Sequence, residues 1–156
     1  MIRVDAGNEL GELLIRAGQL ANRGRLDVAV PFFDADSDLW QRLVAAAQSG
    51  SRVRLLTRPA TDDLQSGLFN ELAGLGVRLI YLPRIHAKSV LLSDRQGRHS
   101  MGWIGSHNFT KASECTAQEL GVVFHGRGAI EARLLQQALI QLDAWEHQAK
   151  ATRPLN

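Results

Sequence analysis

The side chains best suited to chemistry lie in the second half of the chain. His86 and Lys88 are two residues apart in a stretch predicted to be a strand, so both would leave the same face, about 7 Å apart. Ser106 and Asn108 repeat this spacing after the next predicted strand, and they follow Gly105, which lets the backbone approach a ligand closely. An imidazole, an ammonium, a hydroxyl and an amide that converge in this way can bind a phosphate and attack it.

The elements that must position these groups alternate in the first half of the chain. A helical pattern starts at Leu10 and is followed by three short apolar runs that predict strands, at residues 26–33, 53–58 and 77–82. Capped helical patterns separate these runs, and Thr61 is the expected N-cap of the last. Alternating strands and helices are typical of a parallel α/β layer.

After Pro83 the pattern changes. Strands are predicted at 86–94, 99–106 and 118–125, the first two joined by a hairpin with Gly97 in its turn and the last two by a short polar turn. A long amphipathic helix closes the chain. Its expected apolar stripe is Ile130, Leu134, Ala138, Leu142 and Trp145. We therefore expect an α/β fold: one domain over residues 1–150, a mixed central sheet with helices on both faces, and a tail at 151–156.

Composition restricts the functional classes only mildly. The 156 residues suit one hydrophobic core, and 45% hydrophobic with 22% charged residues is an ordinary globular balance. The net charge is only +2, but the basic residues are almost all arginine, with Lys88, Lys111 and Lys150 as the only lysines. Arginine suits phosphate recognition and favours nucleic acid as a partner. A bias toward arginine codons explains the same composition, so both interpretations stay open.

The expected compartment is the cytoplasm. The only cysteine, Cys115, can form no disulfide within the chain. Asp5, Glu9 and Glu12 stand where a signal peptide would be apolar, and no run reaches the roughly 18 apolar residues of a membrane helix. We expect a soluble protein with no membrane partner.

The sequence His86-Ala87-Lys88, followed by Gly105-Ser106-His107-Asn108, resembles the HxK…GSxN signature of the phospholipase D superfamily. Glu119 resembles the acidic residue that follows this signature. The resemblance implies the α-β-α sandwich of that superfamily and a phosphodiesterase that uses no metal and no cofactor. Among its branches, the chain is most similar to the small bacterial endonucleases that carry a single motif.

The resemblance also implies a role for each residue. His86 would be the nucleophile and form a phosphohistidine intermediate. Lys88 and Asn108 would bind the non-bridging oxygens, and Ser106 would assist through its hydroxyl or shape the turn. Glu119 would accept a hydrogen bond from the far ring nitrogen of His86 and fix its tautomer.

One position departs from the signature. The superfamily places an aspartate seven residues after the histidine, but here that position is Ser93, with Asp94 next to it. In a strand that starts at His86, position 93 points to the face opposite His86 and Lys88. An aspartate there would support the site from behind, so its absence removes no phosphate contact but leaves an inactive relative possible.

Other interpretations of single residues remain open. A lone strand histidine is usually structural, and Glu119 could instead be a surface residue opposite Arg127. Arg84 and Arg58 could line a substrate groove. Three further histidines are expected on the surface or in loops: His99, His107 and His125. The tryptophans are expected in the core or an interface rather than as base-stacking platforms: Trp40, Trp103 and Trp145.

The chain carries one HxK motif where the chemistry needs two histidines. After His86 attacks, a second acid must protonate the leaving oxygen. A two-fold homodimer that brings both copies of His86 to one phosphate is the simplest solution, although a different partner chain could also supply the second histidine.

Three functions compete on this basis. The first is a nuclease acting on DNA or RNA. The second is a nucleic-acid-binding subunit that keeps the fold without activity, for which Ser93 is the main argument. The third is a lipid phosphodiesterase or phosphatidyl transferase, which would need an apolar surface that the sequence does not reveal. Strandedness, base preference and pathway are not encoded in any recognisable pattern.

Overall fold

The computed structural model describes residues 2–5, 8–19, 24–94, 100–115 and 118–151. In chain order, its elements are β1 (Ile2–Asp5), α1 (Asn8–Gln19), β2 (Gly24–Ala29), α2 (Asp38–Gln48), β3 (Arg52–Thr57), α3 (Asp63–Gly74), β4 (Arg78–Tyr81), β5 (Ser89–Asp94), β6 (Met101–Gly105), α4 (Lys111–Cys115), β7 (Gly121–His125) and α5 (Ala129–Ala151).

The strands form one mixed sheet in the order β1-β7-β6-β5-β2-β3-β4. The β2, β3 and β4 strands are parallel, as expected from their alternation with helices. The β5 strand pairs antiparallel with β2 and joins the parallel half to the antiparallel β6, β7 and β1. The predicted mixed α/β sheet is confirmed. The two halves of the sequence motif lie just before β5 and just after β6, which are adjacent strands.

Helices cover both faces of the sheet, as predicted. Leu13 of α1, Leu43 of α2 and Phe69 of α3 belong to one hydrophobic cluster. Leu135 and Leu142 of α5 belong to the cluster on the opposite face. Alternation along β5 explains this division, because Val90 and Leu92 enter the first cluster and Leu91 enters the second.

The predicted apolar stripe of α5 was partly wrong. Leu142 is buried, but Ile130 is 70% exposed and Leu134 is 38% exposed, while Leu135 is buried in their place. Ala138 and Trp145 pack against the same cluster as Leu142, so the prediction fails only in the first turns of the helix. Glu146 lies on the buried face, where its carboxylate bonds Arg54 of β3. A hydrophobic period alone cannot locate a face that a buried ion pair anchors.

Arg54 lies at the centre of this ionic anchor. Its Nε is 2.5 Å from Oδ1 of Asp27, and its Nη1 is 2.9 Å from Oε2 of Glu146. Arg54 is 5% exposed, so the two carboxylates offset the cost of removing its charge from water. Arg78 also forms an ion pair with Glu146. The network ties α5 to the parallel half of the sheet.

Several predicted boundaries were wrong for local reasons. The strand expected at 26–33 ends at Ala29, before Pro31, which has no N–H to donate. Asp62 rather than Thr61 caps α3, because its Oδ1 accepts from the Gln65 N–H at 2.8 Å. The N-terminal strand β1 was not predicted, and α4 replaces part of the expected polar turn. The hairpin turn at Gly97 lies outside the described residues.

Candidate active site

His86 and Lys88 lie in the irregular segment between β4 and β5, because β5 begins only at Ser89. The predicted strand over 86–94 was therefore too long at its start. Ile85 is 6% exposed and anchors the segment, and Arg58 donates from Nε to the Ile85 carbonyl at 3.1 Å. A buried anchor immediately before His86 leaves the imidazole exposed at the edge of the sheet.

The structure nevertheless brings His86 and Lys88 together. The Nζ of Lys88 donates to the His86 carbonyl at 3.0 Å and lies 3.2 Å from Nε2 and 3.3 Å from Nδ1 of the same residue. Nearly equal distances place the ammonium beside the ring rather than in line with one lone pair. The ammonium of Lys88 and the imidazole of His86 are therefore in direct contact. They are closer than the roughly 7 Å expected for residues two apart in a strand.

Lys88 is a buried cation, 7% exposed. Burial lowers its pKa below the ordinary lysine value, and the charge of Arg58 lowers it further, while the carboxylate of Glu119 acts in the opposite direction. Arg58 and Glu119 therefore both lie within electrostatic reach of Lys88. A desolvated ammonium next to an exposed imidazole is suited to stabilising the negative charge of an anion bound beside that imidazole.

Glu119 belongs to the site through serine hydroxyls. Ser106 donates a short hydrogen bond to its Oε2, and Ser113 donates to its Oε1 at 2.7 Å. Burial alone would raise the pKa of Glu119, but these two hydrogen bonds and the nearby charges of His107 and Lys88 lower it overall.

The implied hydrogen bond from His86 to Glu119 is absent from the described part of this chain. The carboxylate is already engaged by two hydroxyls. Glu119 is also not paired with Arg127, the alternative considered from the sequence, because its hydroxyl partners are Ser106 and Ser113. Its hydrogen bond with Ser106 places Glu119 at the candidate site.

Asn108 is half-buried and rigidly supported. Its backbone N–H donates to Ser113 Oγ at 3.3 Å, and the next residue, Phe109, is buried and exchanges backbone hydrogen bonds with Phe32 and Asp34. The side-chain Oδ1 is buried without a hydrogen-bond partner among the described residues. An amide oxygen accepts hydrogen bonds, so Nδ2 is the group of this side chain that could donate to a bound anion.

Gly105 has a different role from the one expected. A Cβ added there would lie 2.5 Å from the Leu120 carbonyl oxygen and 2.6 Å from the Gly121 Cα. The position is occupied by the neighbouring strand rather than open to a ligand. This close approach allows Ser106 to accept from the Leu120 N–H at 3.0 Å and fixes its hydroxyl beside Glu119.

Ser113 is a site residue that the sequence analysis missed. It lies on α4, where Thr110 Oγ1 accepts from the Ser113 N–H at 3.3 Å in the manner of an N-cap. The threonine three residues before it was the available signal for this helix. Glu114, the next residue, accepts from the hydroxyl of Ser37, the N-cap of α2, at 2.6 Å and so ties α4 to α2.

The two tentative substrate-binding arginines lie near His86 in different ways. The guanidinium of Arg58 stacks over the half-exposed ring of Phe32, 4.6 Å from its centroid. Arg84 is exposed and lines a cavity of about 580 Å³ together with His86 and Trp145. Both cations thus border the imidazole.

Ser93 lies far from these groups along β5, opposite Arg25 of β2. It lies four positions after Ser89 in the strand, a distance of about 13 Å. The aspartate that the signature places here would not reach a phosphate at His86. The reason is distance rather than strand alternation, because β5 begins only after His86 and Lys88.

The other histidines and the tryptophans divide as follows. His107 was expected on the surface or in a loop. It lies in the loop after β6 but is 5% exposed, with its ring tilted against Trp103. His125 is half-buried, and His99 lies outside the described residues. Trp40 and Trp103 are buried, as predicted for core residues, whereas Trp145 is half-buried beside the candidate site.

The described residues contain neither a metal-binding cluster of acidic, His or Cys side chains nor a membrane-spanning helix. No three His, Cys, Asp or Glu side chains in this part of the chain form a group that could hold a metal ion. None of the helices described is both long and apolar enough to cross a membrane.

Comparison with known proteins gives consistent results at the level of the fold. No curated protein sequence matches the chain. Among solved structures, Nuc from Salmonella typhimurium, a phospholipase D family member, is 23% identical with a TM-score of 0.66, over 94% of this chain and 92% of that one. NucT from Helicobacter pylori is 10% identical with a TM-score of 0.62, over 97% and 98%. TrmBL2, an archaeal chromatin protein, is 14% identical with a TM-score of 0.61, over 94% and 52%.

The family assignment rests on the sequence together with this fold. Residues 16–141 match the family described as "Cardiolipin synthase, PLD-like domain", which is more than half of the chain. The matched span contains every candidate residue from Arg58 to Glu119. The chain belongs to the phospholipase D-like family and has the fold of its phosphodiesterases.

Proposed function

We propose that this protein is a metal-independent nuclease that hydrolyses phosphodiester bonds of DNA or RNA through a phosphohistidine on His86. The observation that carries the proposal is the contact between the exposed imidazole of His86 and the buried ammonium of Lys88. An exposed nucleophile can reach a polymeric substrate, and a desolvated cation next to it stabilises the phosphoryl oxygens during attack.

The proposed reaction has two displacements at phosphorus. In the first, a ring nitrogen of His86 forms a bond to phosphorus, the bond to the leaving oxygen breaks, and a second histidine protonates that oxygen. In the second, the same histidine removes a proton from water, the water oxygen bonds to phosphorus, and the phosphorus–nitrogen bond breaks. The two displacements return both histidines to their starting states.

Lys88 and Asn108 are the proposed ligands of the non-bridging oxygens. Lys88 supplies a full charge, and Asn108 supplies an amide on a rigid backbone. Arg58 and Arg84 would contact phosphates on either side of the one being cleaved. Glu119 supports the proposal by stabilising the charged form of Lys88 and by holding Ser106 in place.

The second histidine is proposed to be His86 of the partner subunit in a homodimer. A patch of exposed apolar side chains borders Ser106 and supports this arrangement. Ile104 and Val122 face each other across β6 and β7, and Leu120 continues the same face, with exposures of 44%, 39% and 60%. This surface was not predicted from the sequence, because the three residues lie in segments predicted to be strands, where apolar residues are expected to be buried. A second copy is its proposed occupant, since the site needs another histidine at this edge.

Two alternatives remain distinct from this proposal. A DNA-binding protein without activity is favoured by the structural likeness to TrmBL2, whose structure is described as showing a novel mode of DNA binding. A phospholipid enzyme is favoured by the description of the matched family as cardiolipin synthase. The arginine-rich composition favours nucleic acid, and the single cysteine suits the cytoplasm as the proposed place of action.

The test is cleavage of plasmid and single-stranded DNA and RNA in excess EDTA. Wild type and His147→Ala, an exposed α5 position outside the site, are expected to cleave, whereas His86→Ala is not. Acid-labile label from phosphate-labelled DNA should be trapped on wild type and on His147→Ala, but not on His86→Ala. DNA retained but uncut by all three proteins supports the inactive DNA-binding protein. Hydrolysis of phosphatidylglycerol without DNA cleavage supports the lipid enzyme.

A further inference from the structure

A cavity of about 580 Å³ opens beside His86, between segment 81–87 and α5. Trp145 and Gln148 are the α5 residues that line it, and His86 and Ala87 form one of its edges. This volume falls in the range of pockets that bind small organic ligands. The reaction proposed at His86 takes place on the phosphate group alone. The cavity beside His86 is therefore free to hold another part of the substrate.

The wall of the cavity is mainly apolar and rigid. Leu82, Ile85 and Ala87 contribute aliphatic surface, and Trp145 contributes an indole that is half-buried among them. Trp145 precedes Glu146, whose carboxylate is fixed by Arg54 under the helix. The helix that carries Trp145 is thus tied to the sheet, and the side chain packs against the same hydrophobic cluster as Leu82 and Ala87. A side chain that is already packed loses less entropy on binding.

The edge of the cavity is cationic and adjoins the nucleophile. Arg84 is exposed and has no hydrogen bond or ion pair with the described part of the chain. The occupant should therefore combine a flat apolar body with an anionic attachment that reaches His86. A nucleotide has this combination, because its base is covalently linked to the phosphate being attacked.

We propose that this cavity binds one unpaired nucleobase of the substrate, the base attached to the cleaved phosphodiester, with Trp145 as its aromatic wall. This inference rests on the proposed nuclease function and extends it to the form of the substrate. A paired base would have to leave its stack to enter, at a cost of a few kcal/mol, so the enzyme acts on single strands before duplexes. Trp145, expected from the sequence to serve only the core or an interface, becomes a specificity residue.

The first experiment needs no variant. Wild-type protein cleaves a labelled oligothymidylate single strand and the same strand with one abasic residue, and the products are mapped at each phosphate. Stacking on an aromatic side chain predicts that cleavage beside the abasic residue falls about tenfold, while distant phosphates are cut as before. Equal cleavage at all phosphates of both strands would overturn the inference.

Variants then assign the effect to the cavity. Trp145→Ala should cut intact and abasic strands at similar rates, whereas Trp145→Phe should keep the preference because it keeps a flat ring. His147→Ala, two positions along on the exposed side of α5, should behave like wild type. Full abasic discrimination by a folded Trp145→Ala protein would contradict the assignment.

Binding separates failure of this inference from failure of the proposed function. If wild type cuts neither strand, anisotropy with intact and fully abasic oligonucleotides still measures whether bases are bound. Tighter binding of the intact strand supports the base cavity without nuclease activity. Equal binding of the intact and abasic strands contradicts the base cavity. Quenching of Trp145 fluorescence by phosphatidylglycerol vesicles, without quenching by thymidine oligonucleotides, also contradicts it.

Discussion

The Nζ atom of Lys88 lies 3.2 Å from Nε2 and 3.3 Å from Nδ1 of His86. An ammonium has no acceptor, so it can approach a neutral imidazole only at a lone pair or beside the ring. A phosphate that binds at this point would meet both groups at once. The charge of Lys88 should therefore control the proposed chemistry, and the groups that shift its pKa should control the pH dependence.

Replacing Arg58 and Glu119 should move the alkaline limit of activity in opposite directions. The pKa of Lys88 is lowered by burial and by Arg58, and Glu119 opposes the decrease. Arg58→Gln should raise this pKa and extend activity to higher pH, whereas Glu119→Gln should lower the pKa and end activity at lower pH. The measurement is kcat/KM for oligonucleotide cleavage against pH. Arg58→Lys keeps the charge and should leave the alkaline limit of activity near its wild-type position. If Arg58→Gln and Glu119→Gln shifted this limit in the same direction, the pKa of Lys88 would not set it.

Ser113 should tune the acidic limit through Glu119. Its hydroxyl donates to the carboxylate at 2.7 Å and contributes to lowering the pKa of Glu119. Ser113→Ala should raise that pKa, so that the carboxylate becomes protonated at higher pH and the acidic limb of kcat/KM moves upward. Carboxyl-carbon NMR of Glu119 measures the same change directly. Ser66→Ala on α3 removes a comparable hydroxyl hydrogen bond away from the site and should change neither measurement.

Arg54 should dominate the stability of the contact between α5 and the sheet. Arg54→Leu leaves the carboxylates of Asp27 and Glu146 buried without their main partner, which should lower the free energy of unfolding by about 3–5 kcal/mol. Arg25 also pairs with Asp27, but its side chain is 47% exposed, so Arg25→Gln should cost less than about 1 kcal/mol. Urea denaturation followed by circular dichroism measures both. Similar losses for the two variants would show that burial of Arg54 does not set the strength of the network.

The apolar patch beside Ser106 should govern assembly. Ile104→Glu and Val122→Glu place charges on the proposed dimer surface and should yield monomers at micromolar concentration with cleavage reduced at least a hundredfold. Sedimentation velocity measures the assembly. Leu64→Glu on α3, where the leucine is 71% exposed, should alter neither assembly nor activity. A monomeric Ile104→Glu protein with full activity would exclude His86 of the partner subunit as the second acid.

The sequence by itself determined the fold class and identified the segments that form the candidate site. Strand and helix alternation up to β4 predicted the parallel strands, because hydrophobic period and turn residues are local properties. The spacing of His86, Lys88, Ser106 and Asn108 identified the segments that meet at one edge of the sheet. The resemblance to the phospholipase D superfamily was confirmed by the match to residues 16–141.

Only the tertiary structure decided how the site is held together. The hydroxyl of Ser113 on α4 bonds both the Glu119 carboxylate and the Asn108 N–H. The ion pair between Arg54 and Glu146 ties α5 to the sheet. The cavity at Trp145 exists because a distant helix lies beside His86. Each feature depends on contacts between residues far apart in the chain, and a local pattern carries no information about which buried partners will meet.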